Sequence, residues 1–383
     1  MPELKSIQPS KSPPRHTFFL GSRPEFTGTR ILGFFLVVIA HNARSWEFGF
    51  WNIMNYWFGL SGFLITAGLI GELNKTGKIN GRYYYARRVL RLFPPTFTVI
   101  VLVCIYGLIT HAPNFSSVYL QPGISTIFFY GNYYYLIHFL SLDIFSQMWS
   151  TSVDEHFYVF WMIVLYTCTK YFNKDLLFKI AIFLSILADL DRFASFYVFH
   201  FTERTYYTFD PRGADFLCGA LVVLVAERYY EKFFNKNSKP ATWFKVASFI
   251  SFLFLLYTLF FVKSLDFTQG FIWAGTFLDF AVFFILGYLY LNPNSVPSRI
   301  LRNNIIVHFG NLNLSLYVWF WPIDILVNPS NTHLGLWPLF FLRLFIMIIL
   351  SEITYWSIEI PMKHLRKGRF TVKELRDPNF RPI

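Results

Sequence analysis

Residues 30–41 read RILGFFLVVIAH, with ten apolar residues between the guanidinium of Arg30 and the imidazole of His41. Wound as a helix, eleven steps turn through roughly 1100°, about 20° past three full circles. The two polar groups then share one face, roughly 16 Å apart along the axis. A bilayer's hydrocarbon core is about 30 Å thick. With Arg30 near one surface, His41 hangs well inside that core, and an ionisable group at such depth is a functional-site candidate by default. A hydrogen bonder between helices is the plainer reading of the same ring and stays open.

The rest of the chain fits a membrane. Of its 383 residues, 54% are hydrophobic, 21% aromatic and only 15% charged, a charged share below the ~25% of soluble domains. Apolar runs bounded by charge or turn residues recur at about 31–46, 54–72, 93–110, 153–171, 177–199, 213–227, 243–262, 271–291, 307–326 and 337–358. They predict an all-α polytopic integral membrane protein of about ten transmembrane helices, multi-pass in a cell membrane. Lys and Arg collect in every second connection: Lys75, Lys78, Arg82, Arg87 and Arg88 follow the second run, and Arg228, Lys232, Lys236 and Lys239 the sixth. The positive-inside rule then puts both termini in the cytosol. The net charge of +12 reads as cytoplasmic loops, not as a nucleic-acid surface.

Residues 1–26 lack the apolar core of a signal peptide and predict a mobile cytosolic tail. Residues 27–366 predict the membrane domain and 367–383 a second cytosolic tail. The outer segment 111–149 is aromatic but broken by Pro113, Pro122, Gly123 and Gly131, which suits a cap over a cavity. Cys104, Cys168 and Cys218 fall in apolar runs without paired spacing and read as core residues; no metal site is expected.

Three further constellations carry chemistry. In GRYYYARRVLRLFPP (81–95), Arg87, Arg88 and Arg91 stand three and four apart and form a cationic ridge at a helix entrance. Guanidinium forks match phosphate oxygens, although a topogenic charge cluster explains the spacing as well. In WSTSVDEHFY (149–158), Ser150, Ser152, Asp154, Glu155 and His156 gather at the mouth of a span. Adjacent carboxylates diverge on a helix, so one orients a hydroxyl or the His41 ring and the other faces solvent. Plain capping by Ser, with acids in the first turn, accounts for part of this pattern. In TFDPRGADFLCGALVVL (208–224), Asp210, Arg212 and Asp215 precede an apolar run and name no reaction alone.

Together these elements resemble membrane acyltransferase family 3, the group of bacterial O-antigen and peptidoglycan sugar O-acetyltransferases, from about Arg23 to Arg366. The carriers are Arg30-x10-His41, WFGLSGFLIT ending at Thr66, Arg88-x-x-Arg91, Trp149 to Tyr158 with Glu155 in register, Arg212 with Asp215 and Gly219, and Glu359-x-Pro361. The chain departs from the family pattern at Thr27 and Asn55, where Asp is usual, and at Phe320, where His is frequent. These changes bear on the acceptor more than on the reaction.

The resemblance implies acyl transfer, acetyl by default, from cytosolic acyl-CoA to a hydroxyl of a sugar or surface glycan on the outer side of a membrane, the bacterial inner membrane for a bacterial chain. Acyl-CoA is then a donor substrate and not a resident cofactor; its phosphates fall to Arg30, Arg87, Arg88 and Arg91. His41 serves as general base or, alternatively, as a transient acyl carrier. Glu155 positions the acceptor or the imidazole. Trp149, Ser152, Arg212 and Asp215 are expected to bind the acceptor. The length reads as the stand-alone form, without a fused hydrolase-like domain. A proton-coupled transporter or flippase, with Arg30 and His41 as an intramembrane relay, is the alternative.

Overall fold

The structure is a computed structural model, and it describes residues 18, 20–42, 49–138, 143–234, 239–262 and 269–366. Among these residues it is all helix, with no strand. The helices run α1 Glu25–Asn42, α2 Ile53–Thr76, α3 Gly81–Ile109, α4 Gln121–Ile127, α5 Gly131–Ile137, α6 Trp149–Tyr171, α7 Lys174–Tyr197, α8 Thr202–Tyr207 and α9 Phe209–Phe234. They continue with α10 Lys239–Phe261, α11 Gln269–Leu291, α12 Val296–Leu301, α13 Asn304–Asn311, α14 Asn313–Leu326, α15 Pro329–Thr332, α16 Leu336–Thr354 and α17 Ile360–Arg366.

Among the described residues, the ten apolar runs fold as helix, and five helical stretches are long and apolar enough to cross a bilayer: Phe50–Thr76, Gly81–Ile109, Thr242–Phe261, Ile272–Leu291 and Leu336–Leu365. Their outer faces carry bare apolar side chains, such as Leu102 on α3, Phe249 on α10, Phe280 on α11 and Phe345 on α16. Water would penalise that much exposed hydrocarbon, and lipid does not. The run at 307–326 is broken at Leu312 into α13 and α14. The outer segment is less irregular than its prolines and glycines predict: it holds α4, α5 and a π-helical turn at Ser116–Leu120.

At the centre stands α2, in contact with α1, α6, α9 and α11. Glycine sets its closest approach. A methyl group on Gly62 would sit 1.9 Å from the Phe216 carbonyl oxygen, and one on Gly219 would sit 1.8 Å from that of Gly59. Small residues let two backbones touch where apolar burial alone gives no drive in lipid.

The described part of the N-terminal segment is docked, in contrast to the loose tail expected. Phe18 is fully buried and stacks on Tyr290 at 4.9 Å. Its backbone N–H donates to Glu227 at 2.6 Å. Arg23 donates to the carbonyls of Leu289 and Tyr290. The remainder of the expected tails, residues 1–17, 19 and 367–383, lies outside the described residues.

Candidate active site

A cavity of about 460 Å³ lies within the bundle. Its walls come from α1 (Arg30), α2 (Trp57, Ser61), α3 (Arg88, Arg91), α6 (Ser150, Asp154, Tyr158), α14 (Tyr317) and the chain's last described turns (Glu359, Lys363). Local sequence explains several of these placements. Pro94 and Pro95 lie inside α3, lack N–H donors and disturb the turn that carries Arg91. A π-helical turn at Tyr355–Glu359 joins α16 to α17. Its wider winding re-aims the residues that follow, and Glu359 reaches Ser315, whose hydroxyl donates to it.

The three arginines of the cavity differ in their company. Arg88 is held: its Nε donates to Glu155 at 3.4 Å, and its guanidinium carbon lies 3.3 Å from the centre of the Tyr158 ring. Arg30 and Arg91 make no ion pair among the described residues, although Asp154 is near both. Two guanidinium groups without a salt-bridge partner among the described residues, in one cavity beside a third, have the chemistry that suits an anion. Arg87 turns away. It pairs with Glu72 at 3.2 Å, stacks on Tyr83 and stays outside the cavity wall.

The two carboxylates of WSTSVDEHFY diverge as their spacing requires, but neither is given over to solvent. Asp154 lines the cavity near Ser61 and Tyr158, while Glu155 is taken by Arg88. Ser152 is buried against the Met148 carbonyl, and Trp149 sits in an aromatic cluster with Tyr206 and Tyr207, each 4.9 Å away. Neither residue lines the cavity, whereas Ser150 does. The Tyr317 hydroxyl donates to the Gln147 carbonyl and lies 2.6 Å from the Ser150 hydroxyl. Tyr317 has one hydrogen and a carbonyl can only accept, so Ser150 donates to Tyr317.

Arg212 and Asp215 belong elsewhere. Both are fully buried, and Arg212 donates to Asp215 at 2.8 Å and to Asn55 at 3.2 Å. Asp215 also takes Arg192, which pairs in turn with Asp189 and Asp279. This network ties α2, α7, α9 and α11 together outside the cavity wall.

His41 occupies the last turn of α1, beyond the cavity wall. Its ring lies edge-on to Trp51 at 4.1 Å, Phe320 at 4.9 Å and Trp321 at 5.0 Å. Nδ1 stands 2.8 Å from the Val37 carbonyl oxygen. A carbonyl accepts only, so Nδ1 carries the hydrogen and the neutral ring keeps its lone pair on Nε2. Trp57 and Tyr317, ring centres 6.1 Å apart, belong to the cavity wall. Trp57 borders α1 at Gly33, between the positions of Arg30 and His41. Asp143, in the outer segment, accepts from the Trp321 indole through its backbone carbonyl. Burial pushes its own carboxyl up to about 7, against the Phe145 N–H that pulls it down.

Sequence reasoning passed over Trp57, Tyr317, Ser61 and Lys363 as wall residues. The first two are aromatics within apolar runs, and nothing in the pattern separates them from lipid-facing or core rings.

An all-helical membrane bundle around an arginine-rich cavity is the class that fold and site define. The sequence model of the family described as "Acyltransferase domain" matches residues 23–356, and the chain belongs to that family. It is 28% identical over 379 residues to the peptidoglycan O-acetyltransferase OatA of Listeria monocytogenes, a match covering 93% of this chain and 58% of that relative. It is 26% identical over 361 residues to the O-acetyltransferase OatA of Staphylococcus aureus, covering 90% and 57%. The chain thus spans less than three fifths of the length of these curated relatives. No solved structure matches it.

Proposed function

We propose that the protein is a membrane O-acyltransferase. In this reading it moves an acyl group, acetyl by default, from cytosolic acyl-CoA to a hydroxyl of a glycan on the outer face of the cell membrane. Ten crossings with both termini inside complete the reading, and for a bacterial chain the membrane is the inner one. The observation that carries it is the pair Arg30 and Arg91, which make no ion pair among the described residues in a cavity shared with Arg88. Phosphates of a nucleotide thioester supply the anions such a site wants. The names of the relatives favour peptidoglycan as the acceptor class.

The chemistry follows from donors and acceptors. The pantetheine arm of the donor passes Trp57 and Tyr317 toward the end of α1. There Nε2 of His41 takes the acceptor's hydroxyl proton while Val37 holds Nδ1–H. The acceptor oxygen attacks the thioester carbon, and the carbonyl electron pair moves onto oxygen. Collapse breaks the carbon–sulfur bond, and the thiolate leaves with the proton from the imidazolium. An ester and a free thiol are the products.

The test is mass spectrometry of surface glycans from cells that carry or lack the gene, with and without alkali treatment. An alkali-labile ester that depends on the gene, and that is lost with His41→Ala at equal protein level, is the expected result. Wild-type ester content with His41→Ala refutes the base assignment. No gene-dependent ester at all refutes the activity.

A further inference from the structure

Ser150, Asp154 and Tyr158 follow one another at intervals of four on α6, and all three line the cavity, as one row of a helix face should. Asp154 therefore brings a carboxylate to the same cavity as Arg30 and Arg91. It makes no ion pair among the described residues, and its Oδ1 is buried without a hydrogen-bond partner among them. A negative charge in a site suited to anions calls for a reason of its own.

The charges around it supply that reason. Glu155 takes Arg88. Glu359 and Lys363, four apart in the last described turns, line the cavity with opposite signs. The guanidinium groups of Arg30 and Arg91 then stand against the one carboxylate of Asp154. Arg30 and Arg91 are near enough to repel each other, and Asp154 is near both. A cavity wall has a lower dielectric than water, so these charges act over several ångströms without contact. In an empty cavity Asp154 offsets the repulsion between the two arginines. Phosphates that enter gain the attraction of Arg30 and Arg91 and meet the repulsion of Asp154, whether or not the carboxylate touches them.

We propose that Asp154 is the resident counter-ion of Arg30 and Arg91, an affinity-setting residue whose charge opposes the donor's phosphates and so eases release of spent coenzyme A. The inference rests on the reading that acyl-CoA fills this cavity.

The test measures binding of two probes to the full chain in detergent micelles, per folded protein after size exclusion, at about pH 8, where an ordinary carboxyl is ionised. One probe is coenzyme A; the other is adenosine 3′,5′-bisphosphate, which keeps phosphates and lacks the pantetheine arm. Asp154→Asn keeps the shape and removes the charge. It should tighten both probes about tenfold, the effect of one unit charge several ångströms away in a protein interior, and coenzyme A should leave more slowly. Asp154→Ser, also neutral, carries the same expectation if Asp154→Asn does not fold. Asp154→Glu keeps the charge and should bind both probes much as wild type does. A merely structural role for Asp154 would loosen binding in the neutral variants, the opposite sign. Unchanged or weaker binding in them overturns the assignment, as does equal tightening in Asp154→Glu. Arg91→Ala should weaken both probes and so tests the underlying reading by itself. If it changes neither, the donor-site reading falls; if it weakens both while Asp154→Asn tightens neither, only the role of Asp154 falls.

Discussion

The guanidinium carbon of Arg88 lies 3.3 Å from the centre of the Tyr158 ring, while its Nε reaches Glu155. Stacking and ion pairing together orient one face of the guanidinium plane, which lysine cannot reproduce. Arg88→Lys should therefore keep the charge yet raise the KM for acyl-CoA severalfold. Glu155→Ala leaves a largely buried arginine without its counter-ion, a change worth about 3–5 kcal/mol. Membrane levels of that variant should fall. The double variant Arg88→Ala/Glu155→Ala should recover the level but not donor affinity. Immunoblots of membranes with donor titrations check both, and recovered affinity in the double variant would deny Arg88 its role.

Asp215 bridges Arg192 and Arg212, and all three side chains are almost wholly buried. Removing it takes from buried Arg212 the carboxylate it pairs with and from Arg192 one of its three, in a medium of low dielectric. Asp215→Ala is expected to cost at least about 3–5 kcal/mol and to deplete folded protein. Any correctly folded fraction should bind donor like wild type, because the network lies outside the cavity wall. Size-exclusion profiles with donor titration separate the two effects. A well-folded variant with lost acceptor esterification would return Asp215 to the acceptor site.

The apolar runs fell on helices because hydropathy reports burial in lipid or protein, and every described run is helical. The break at Leu312 escaped notice since α13 and α14 are both apolar, and hydropathy carries no direction. Arg30, Arg88 and Arg91 were legible as charges out of place. Arg87 and Arg91, four apart, looked equivalent on the ridge, yet Glu72 lies 15 residues before Arg87 in the chain and its pull is invisible to spacing. The same holds for Arg212 and Asp215, whose partners Asn55 and Arg192 stand on two other helices. Trp57 and Tyr317 were hidden for the opposite reason: in an apolar run, a ring that lines a cavity has the composition of packing.

Asp143 supplies a pH dependence. Its carboxyl titrates at about 7 in the fold because burial disfavours the anion, against about 3.9 in an unfolded chain. The fold therefore favours the protonated form. Its stabilising contribution is complete below about pH 4 and is lost as the pH rises through about 7. Thermal unfolding in detergent should show a fall in Tm across that window, and Asp143→Asn, which stays neutral, should flatten it. An unchanged slope in the variant would assign the titration to another group.

Arg343 fastens the end of the helix that carries His41. From α16 it donates to the Asn42 side chain at 2.7 Å, to the Asp324 carbonyl at 2.7 Å and to the Val327 carbonyl at 2.7 Å, and it pairs with the Asp324 carboxylate at 2.6 Å. Three elements thus meet at one guanidinium, at the residue that follows His41 in the chain: the ends of α1 and α14 and the middle of α16. Arg343→Met keeps much of the volume and removes every one of these bonds. The α1 terminus should loosen, and orientation of the base should suffer while the cavity, a few turns away, is undisturbed. The expected outcome is a kcat lowered about tenfold or more with the KM for acyl-CoA near wild type, since a misplaced catalytic group costs rate and not donor binding. Arg343→Lys should restore the ion pair with Asp324 but not the fork of carbonyl contacts, and so recover only part of the rate. Steady-state kinetics on the three proteins at matched folded concentration decide it. A variant that raises KM and leaves kcat intact would move Arg343 from the acceptor end of the path to the donor end.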